Sequence, residues 1–109
     1  MAAVVVIAWE PGGLAEEVGR HYVRRVLPAL GEPVVVAASA PDYTEQLVAA
    51  LGQAVGGRGR HVVAAYLREF HRDPWECLRR MVYLLKDGVH LHLVHEHVNT
   101  AVMRSVGKT

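Results

Sequence analysis

The spacing of apolar positions along this chain switches repeatedly between the period of a strand and that of a helix. Ala2–Ala8 is an unbroken Val/Ile/Ala run, the pattern of a strand covered on both faces. Pro11-Gly12-Gly13 breaks it. Leu14–Leu27 then predicts a helix, with Leu14, Val18, Tyr22 and Val26 on one stripe widened by Ala15, Val23 and Leu27. Pro28, Gly31 and Pro33 end that helix. Val34–Ala38 predicts a second short buried strand. Asp42 with Glu45 predicts a capped helix start, and Leu47, Val48, Leu51, Ala54 and Val55 supply its apolar face up to Gly56-Gly57.

His61–Leu67 reads as a third strand. Asp73-Pro74 marks a helix start, an acid at the cap and a proline at the first helical position, with Glu76 behind them. Leu78, Met81, Val82 and Leu85 predict its inward stripe, and Gly88 its end. Val89–His95 is the fourth strand, and residues 96–109 carry no strong period. The order is βαβαβαβ. Strands joined by helical crossovers are most simply parallel, each crossover right-handed. The expectation is an α/β fold: a small three-layer sandwich with a four-stranded, mainly parallel sheet, one domain over residues 1–109. In such sheets the functional edge is where the strands reach their carboxyl ends.

Composition narrows the classes. With 109 residues and 51% hydrophobic, the chain can fill one core, so a folded domain is expected and not an intrinsically disordered chain. No apolar run approaches the ~18 residues of a membrane span, and Met1–Trp9 lacks the basic flank and cleavage site of a signal peptide. No membrane partner is expected. A single cysteine, Cys77, rules out an internal disulfide and a multi-cysteine zinc site, and suggests a reducing, cytoplasmic setting. The net charge of +1 hides an asymmetry: residues 1–57 carry three Arg against six acids, residues 58–109 nine Lys/Arg against five acids. The basic second half is compatible with a polyanion such as DNA without demanding one.

Several residue patterns raise candidate chemistry. Pro11-Gly12-Gly13 lacks the glycine order of a dinucleotide loop and is followed by no phosphate-binding lysine, so it reads as a turn. Ser39 has no nucleophile elbow around it. Cys77 sits near a helical apolar stripe, the place of a structural thiol. His90 and His92 share one face of a strand and are the weak metal candidates, though a stable site needs a third ligand. Glu96 has the right parity, but a regular strand carries it roughly 13 Å past His92 at ~3.3 Å per residue. The densest cluster is Arg68, Glu69, His71, Arg72 and Asp73 after strand three, where a guanidinium such as that of Arg72 suits a phosphate.

The stretch Val62–Thr100 resembles the catalytic domain of serine recombinases, the resolvase/invertase family. That family carries an apolar strand, L-D-R-x-x-R, an amphipathic helix, G-V, a strand and E-x-[IV]-[DN]-T. Here the corresponding residues are Leu67-Arg68-Glu69-Phe70-His71-Arg72-Asp73, the helix opening at Pro74, Gly88-Val89, and Glu96-His97-Val98-Asn99-Thr100. The resemblance implies a domain that cuts DNA through a serine hydroxyl, uses arginines to stabilise the phosphorane, and needs no metal or other cofactor.

The chain departs from that pattern where the chemistry resides. The segment after strand one is Ile7-Ala8-Trp9-Glu10-Pro11-Gly12, and no serine precedes Ser39. Trp9 stands where the family's first arginine is expected, and Arg68-Glu69 inverts the charge order of the family's Asp-Arg pair. Leu67, Arg72, Glu96 and Thr100 persist. No catalytic residue is therefore assigned. The expectation is a resolvase-like interaction or regulatory module, engaging a protein partner, a second copy, or DNA weakly through Arg72, Arg68, Arg58 and Arg60. Two other readings stay open: an active recombinase with a displaced nucleophile at Ser39, Thr44 or Ser105, or a small α/β domain binding a metal or ligand. The chain ends about where the family's dimerisation helix begins, so neither that helix nor a DNA-reading module is expected within it.

Overall fold

The computed structural model describes residues 3–52 and 59–101. Among these residues, five strands form one mixed sheet: β1 (Ala3–Ala8), β2 (Val34–Ala37), β3 (Arg60–Ala64), β4 (His90–Leu93) and β5 (Val98–Asn99), and three helices connect them: α1 (Leu14–Val26), α2 (Tyr43–Leu51) and α3 (Pro74–Lys86). Short 3₁₀ turns cover Pro28–Leu30 and Leu67–Glu69. The strand order is β2-β1-β3-β4-β5, with parallel pairing except between β4 and β5.

The α/β class and the layering follow from the Val-rich strands. Val5 and Ile7 of β1 face a core built with Leu47 and Leu51 of α2 and Cys77 and Leu84 of α3. Val4 and Val6 face Val23 and Tyr22 of α1 on the other side. The first crossover runs one way along the sheet and the next two the other way, so crossovers of a single hand place α1 opposite α2 and α3. At Gly19 the helix α1 lies so close to the sheet that a β-carbon would stand 2.6 Å from Cγ1 of Val6. Gly88, at φ 81°, ends α3 in the left-handed region that glycine adopts without strain.

Several expectations need correction. The sheet has five strands, not four, because Val98–Asn99 folds back to pair antiparallel with Leu93 and His92. The inward stripe of α3 is rotated: Cys77 and Leu84 are buried with Met81 and Leu85 beside them, whereas Leu78 and Val82 face outward. In α1 the buried line runs through Gly19 and Val23, leaving Leu14 and Val26 exposed. Asp42 precedes α2 but caps no backbone amide; its carboxylate accepts from Nε2 of Gln46 instead. Val48 of α2 is likewise exposed, and Ala54, Val55, Gly56 and Gly57 lie outside the described residues. Strands three and four are also shorter than their apolar runs, since the chain leaves the sheet after Ala64 and Leu93.

At the start of α3 the expected cap is formed. Oδ1 of Asp73 accepts from the Trp75 amide at 2.8 Å, and Pro74 fills the first helical position.

Candidate functional site at the carboxyl edge

The strand order reverses direction between β1 and β3, so the loops leaving these strands diverge and open a crevice at the carboxyl edge. Backbone and side chains lock this edge. The Trp9 amide donates to Oε1 of Glu69 at 3.1 Å, and the Ser39 amide donates to the Trp9 carbonyl. Arg80 of α3 donates to the carbonyls of Ala38 and Phe70 at 2.9 and 2.7 Å while its guanidinium lies 4.0 Å from the Tyr43 ring centre. One cation thus joins the ends of β2, α2 and the β3–α3 loop.

Leu67, Arg72 and Glu96, three residues of the family resemblance, also lie at this edge. The Leu67 amide donates to Oε2 of Glu96 at 3.1 Å, tying the loop after β3 to the turn after β4. Thr100 accepts from the Leu91 amide at 2.8 Å and anchors the fold-back of β5. Arg72 reaches the crevice from the other side. Its guanidinium lies 5.4 Å from the Trp9 ring centre and 3.9 Å from the Glu10 carboxylate. His71 meets the same indole edge-on at 5.0 Å.

Next to this cluster, the loops after β3 and β4 and the first half of α3 enclose a groove of about 840 Å³, within the ~300–1,000 Å³ typical of ligand sites. Leu67, Trp75, Leu78 and Met81 make its wall mainly apolar, and Arg68 and Arg72 stand on its rim. Arg68 leans over Tyr66 at 5.3 Å, Tyr66 contacts His95, and Arg68 forms no ion pair among the described residues. The Cys77 thiol, at the base, donates to the Leu67 carbonyl at 2.9 Å; burial pushes its pKa up, which disfavours the nucleophilic thiolate.

The other candidates are dispersed. Arg60 lies at the amino end of β3 and is held by the carboxylate and carbonyl of Asp87 at 2.8 and 2.6 Å, a strand's length from Arg68 and Arg72. Arg58 and Ser105 lie outside the described residues. Ser39 and Thr44 are exposed, on the loop after β2 and on α2.

His90 and His92 do share a face, as their spacing requires, and His61 of β3 joins them. Nδ1 of His61 and Nε2 of His92 are 2.9 Å apart, and the Tyr22 hydroxyl lies 2.8 Å from Nδ1 of His92. The two ring nitrogens of His92 are therefore spent on hydrogen bonds that bridge α1 to the sheet. Burial, then the neighbouring His61 and His90, lower the His92 pKa to about 4; burial and His90 lower that of His61. Glu96 is away from this face, and among the described residues no cluster of His, Cys, Asp or Glu is arranged to hold a metal. His61 could have been found only from the β3–β4 register, which pairs it directly with His90. A second depression beside α1, lined by His21, Tyr22, Arg24, Arg25, Val94 and His97, is more polar than the carboxyl-edge groove.

Among the described residues, no helix is long and apolar enough to cross a membrane. Compared with known protein families, curated proteins and solved structures, the chain matches none.

Proposed function

We propose that this chain is a resolvase-like domain without phosphoryl-transfer chemistry, an interaction module whose working surface is the carboxyl-edge groove. The observation that carries the reading is the occupancy of the crevice beside Arg72. A recombinase-type displacement needs a hydroxyl and several cations around a phosphate. Here an indole and a carboxylate, Trp9 and Glu10, take that ground against Arg72. Glu10 repels a phosphate, and neither side chain supplies the hydroxyl that a serine-type displacement requires.

The positions kept from the family motif support the scaffold part of the reading. Glu96 and Thr100 join loops and strands by hydrogen bonds to backbone amides, a role that survives loss of catalysis. The apolar wall and cationic rim of the adjacent groove support the binding part. Weak attachment to DNA through Arg68 and Arg72 belongs to the same reading, without Arg60, which is committed to Asp87. A metal-binding role draws no support from His90 and His92, whose face is organised by hydrogen bonds to His61 and Tyr22.

The test is covalent capture on DNA. The full chain is incubated with supercoiled and with nicked duplex, denatured, and separated on a gel. No protein–DNA adduct and no new nicks are expected. An adduct that persists through denaturation contradicts the proposal, and its loss on replacing Ser39, Thr44 or Ser105 would identify the attacking hydroxyl.

A further inference from the structure

The third helix carries two apolar faces, and only one of them is used by the core. Cys77, Met81, Leu84 and Leu85 pack inward. Trp75, Leu78 and Val82 form a second stripe that remains 73%, 49% and 39% exposed. Their spacing places them on one side of the helix over about 10 Å of its length. Leu67, 40% exposed, continues the apolar surface into the groove. The rim above it is cationic: Arg68 has no carboxylate partner among the described residues, and Arg72 has only the long, exposed contact with Glu10. Among the described residues, the one carboxylate lining the groove, Glu96, is engaged by the Leu67 amide.

We propose that this groove docks an amphipathic helix of a protein partner whose apolar stripe is bordered by Asp and Glu. The inference rests on the groove being the working surface, and it names the occupant. A linear apolar stripe beside a groove matches the apolar face of a helix, the recurring helix-in-groove mode. The unpaired Arg68 and the lightly held Arg72 select acidic flanks. A second copy packing by the same groove would set its own Arg68 and Arg72 against this rim, a like-charge contact. Nucleic acid needs cations along its whole track, whereas here Leu67, Leu78 and Met81 form the wall.

The experiment titrates the full chain with three synthetic helical peptides of equal length. The first has leucines at helical spacing with glutamates elsewhere, the second has lysines in place of the glutamates, and the third scrambles the first so that no stripe forms. Binding is read from tryptophan fluorescence, with Trp75→Phe removing the reporter in the groove and leaving Trp9. The acidic amphipathic peptide binds. The lysine and scrambled peptides bind at least about tenfold more weakly, and Arg68→Glu and Leu78→Asp each cost the acidic peptide about tenfold in affinity. Added salt weakens the complex. Equal binding of acidic and basic peptides, no binding of the acidic peptide, or tighter binding of a short DNA duplex than of the acidic peptide overturns the proposal. If Leu78→Asp lowers the melting temperature, the exposed Arg68→Glu carries the comparison. A failed titration removes the helical occupant and leaves the absence of phosphoryl transfer standing; only covalent capture of DNA removes the latter.

Discussion

Acidification should loosen this fold in a way that one residue controls. His92 is 1% exposed, lies between Tyr22 of α1 and His61 of β3, and has His90 on its own strand as the third titratable neighbour. Its pKa falls from the ordinary 6.5 to about 4 in the folded chain. The unfolded chain therefore takes up a proton on this side chain at a higher pH than the folded one does. Stability from the neutral imidazole is complete above the unfolded value and is lost as pH falls from 6.5 towards 4. At about 1.36 kcal/mol per pKa unit, the displacement corresponds to about 3 kcal/mol. That is a large part of the 5–15 kcal/mol typical of a domain.

The assay is urea unfolding of the wild-type chain and of His92→Leu between about pH 7.5 and about pH 4.5. At the upper end the variant is less stable by about 1–3 kcal/mol, because the Tyr22 hydroxyl and a ring nitrogen of His61 lose their partner. Towards the lower end the gap closes, because wild-type stability falls with pH more steeply than that of the variant, by about 1 kcal/mol per pH unit. Comparing the two chains cancels the titration of the carboxylates common to both. Parallel pH profiles would mean that His92 is no harder to protonate in the fold than outside it, contrary to its burial.

Other perturbations read other contacts. Gly19→Ala puts a β-carbon against Val6 and forces α1 away from the sheet, a loss of about 1–3 kcal/mol in urea unfolding despite the better helix propensity of alanine. Arg80→Met keeps the aliphatic stem but strips donors from the Ala38 and Phe70 carbonyls; a loss of about 1–3 kcal/mol is expected, with local hydrogen exchange rising first at the carboxyl edge. Native Cys77 should resist alkylation by iodoacetamide near neutral pH and react fully in denaturant, because burial and the Leu67 carbonyl hold it as a thiol. Rapid alkylation of the folded chain would contradict that placement.

How far the primary structure discloses this architecture depends on how local each determinant is. The β1 run and the Asp73-Pro74 start of α3 are legible because continuous Val/Ile burial and helix capping act over a few neighbouring residues. The phase of α1 and α3 is not. Each has apolar side chains on more than one face, and periodicity cannot tell the face that meets the sheet from the face left open. Leu78 and Val82 read as core for that reason, yet both are exposed, and Leu78 lines the groove. Strand β5 spans two residues, too few for a period, and exists because the turn at His97 returns the chain to β4. Arg80 and His61 act across elements, one on carbonyls from two loops and the other across the β3–β4 register, and neither carries a local signature. The cluster around Arg68 and Arg72 is visible in the sequence, but its meaning changes once Trp9 and Glu10 are seen against Arg72.

If the carboxyl-edge groove is the working surface, amide chemical-shift mapping of the full chain with the acidic amphipathic peptide locates the contact there. The largest shifts are expected on Leu67–His71, on Trp75–Val82 and on His95 and Glu96. Shifts centred on His21, Arg24 and Arg25 beside α1, or at the Arg60–Asp87 edge, would contradict it.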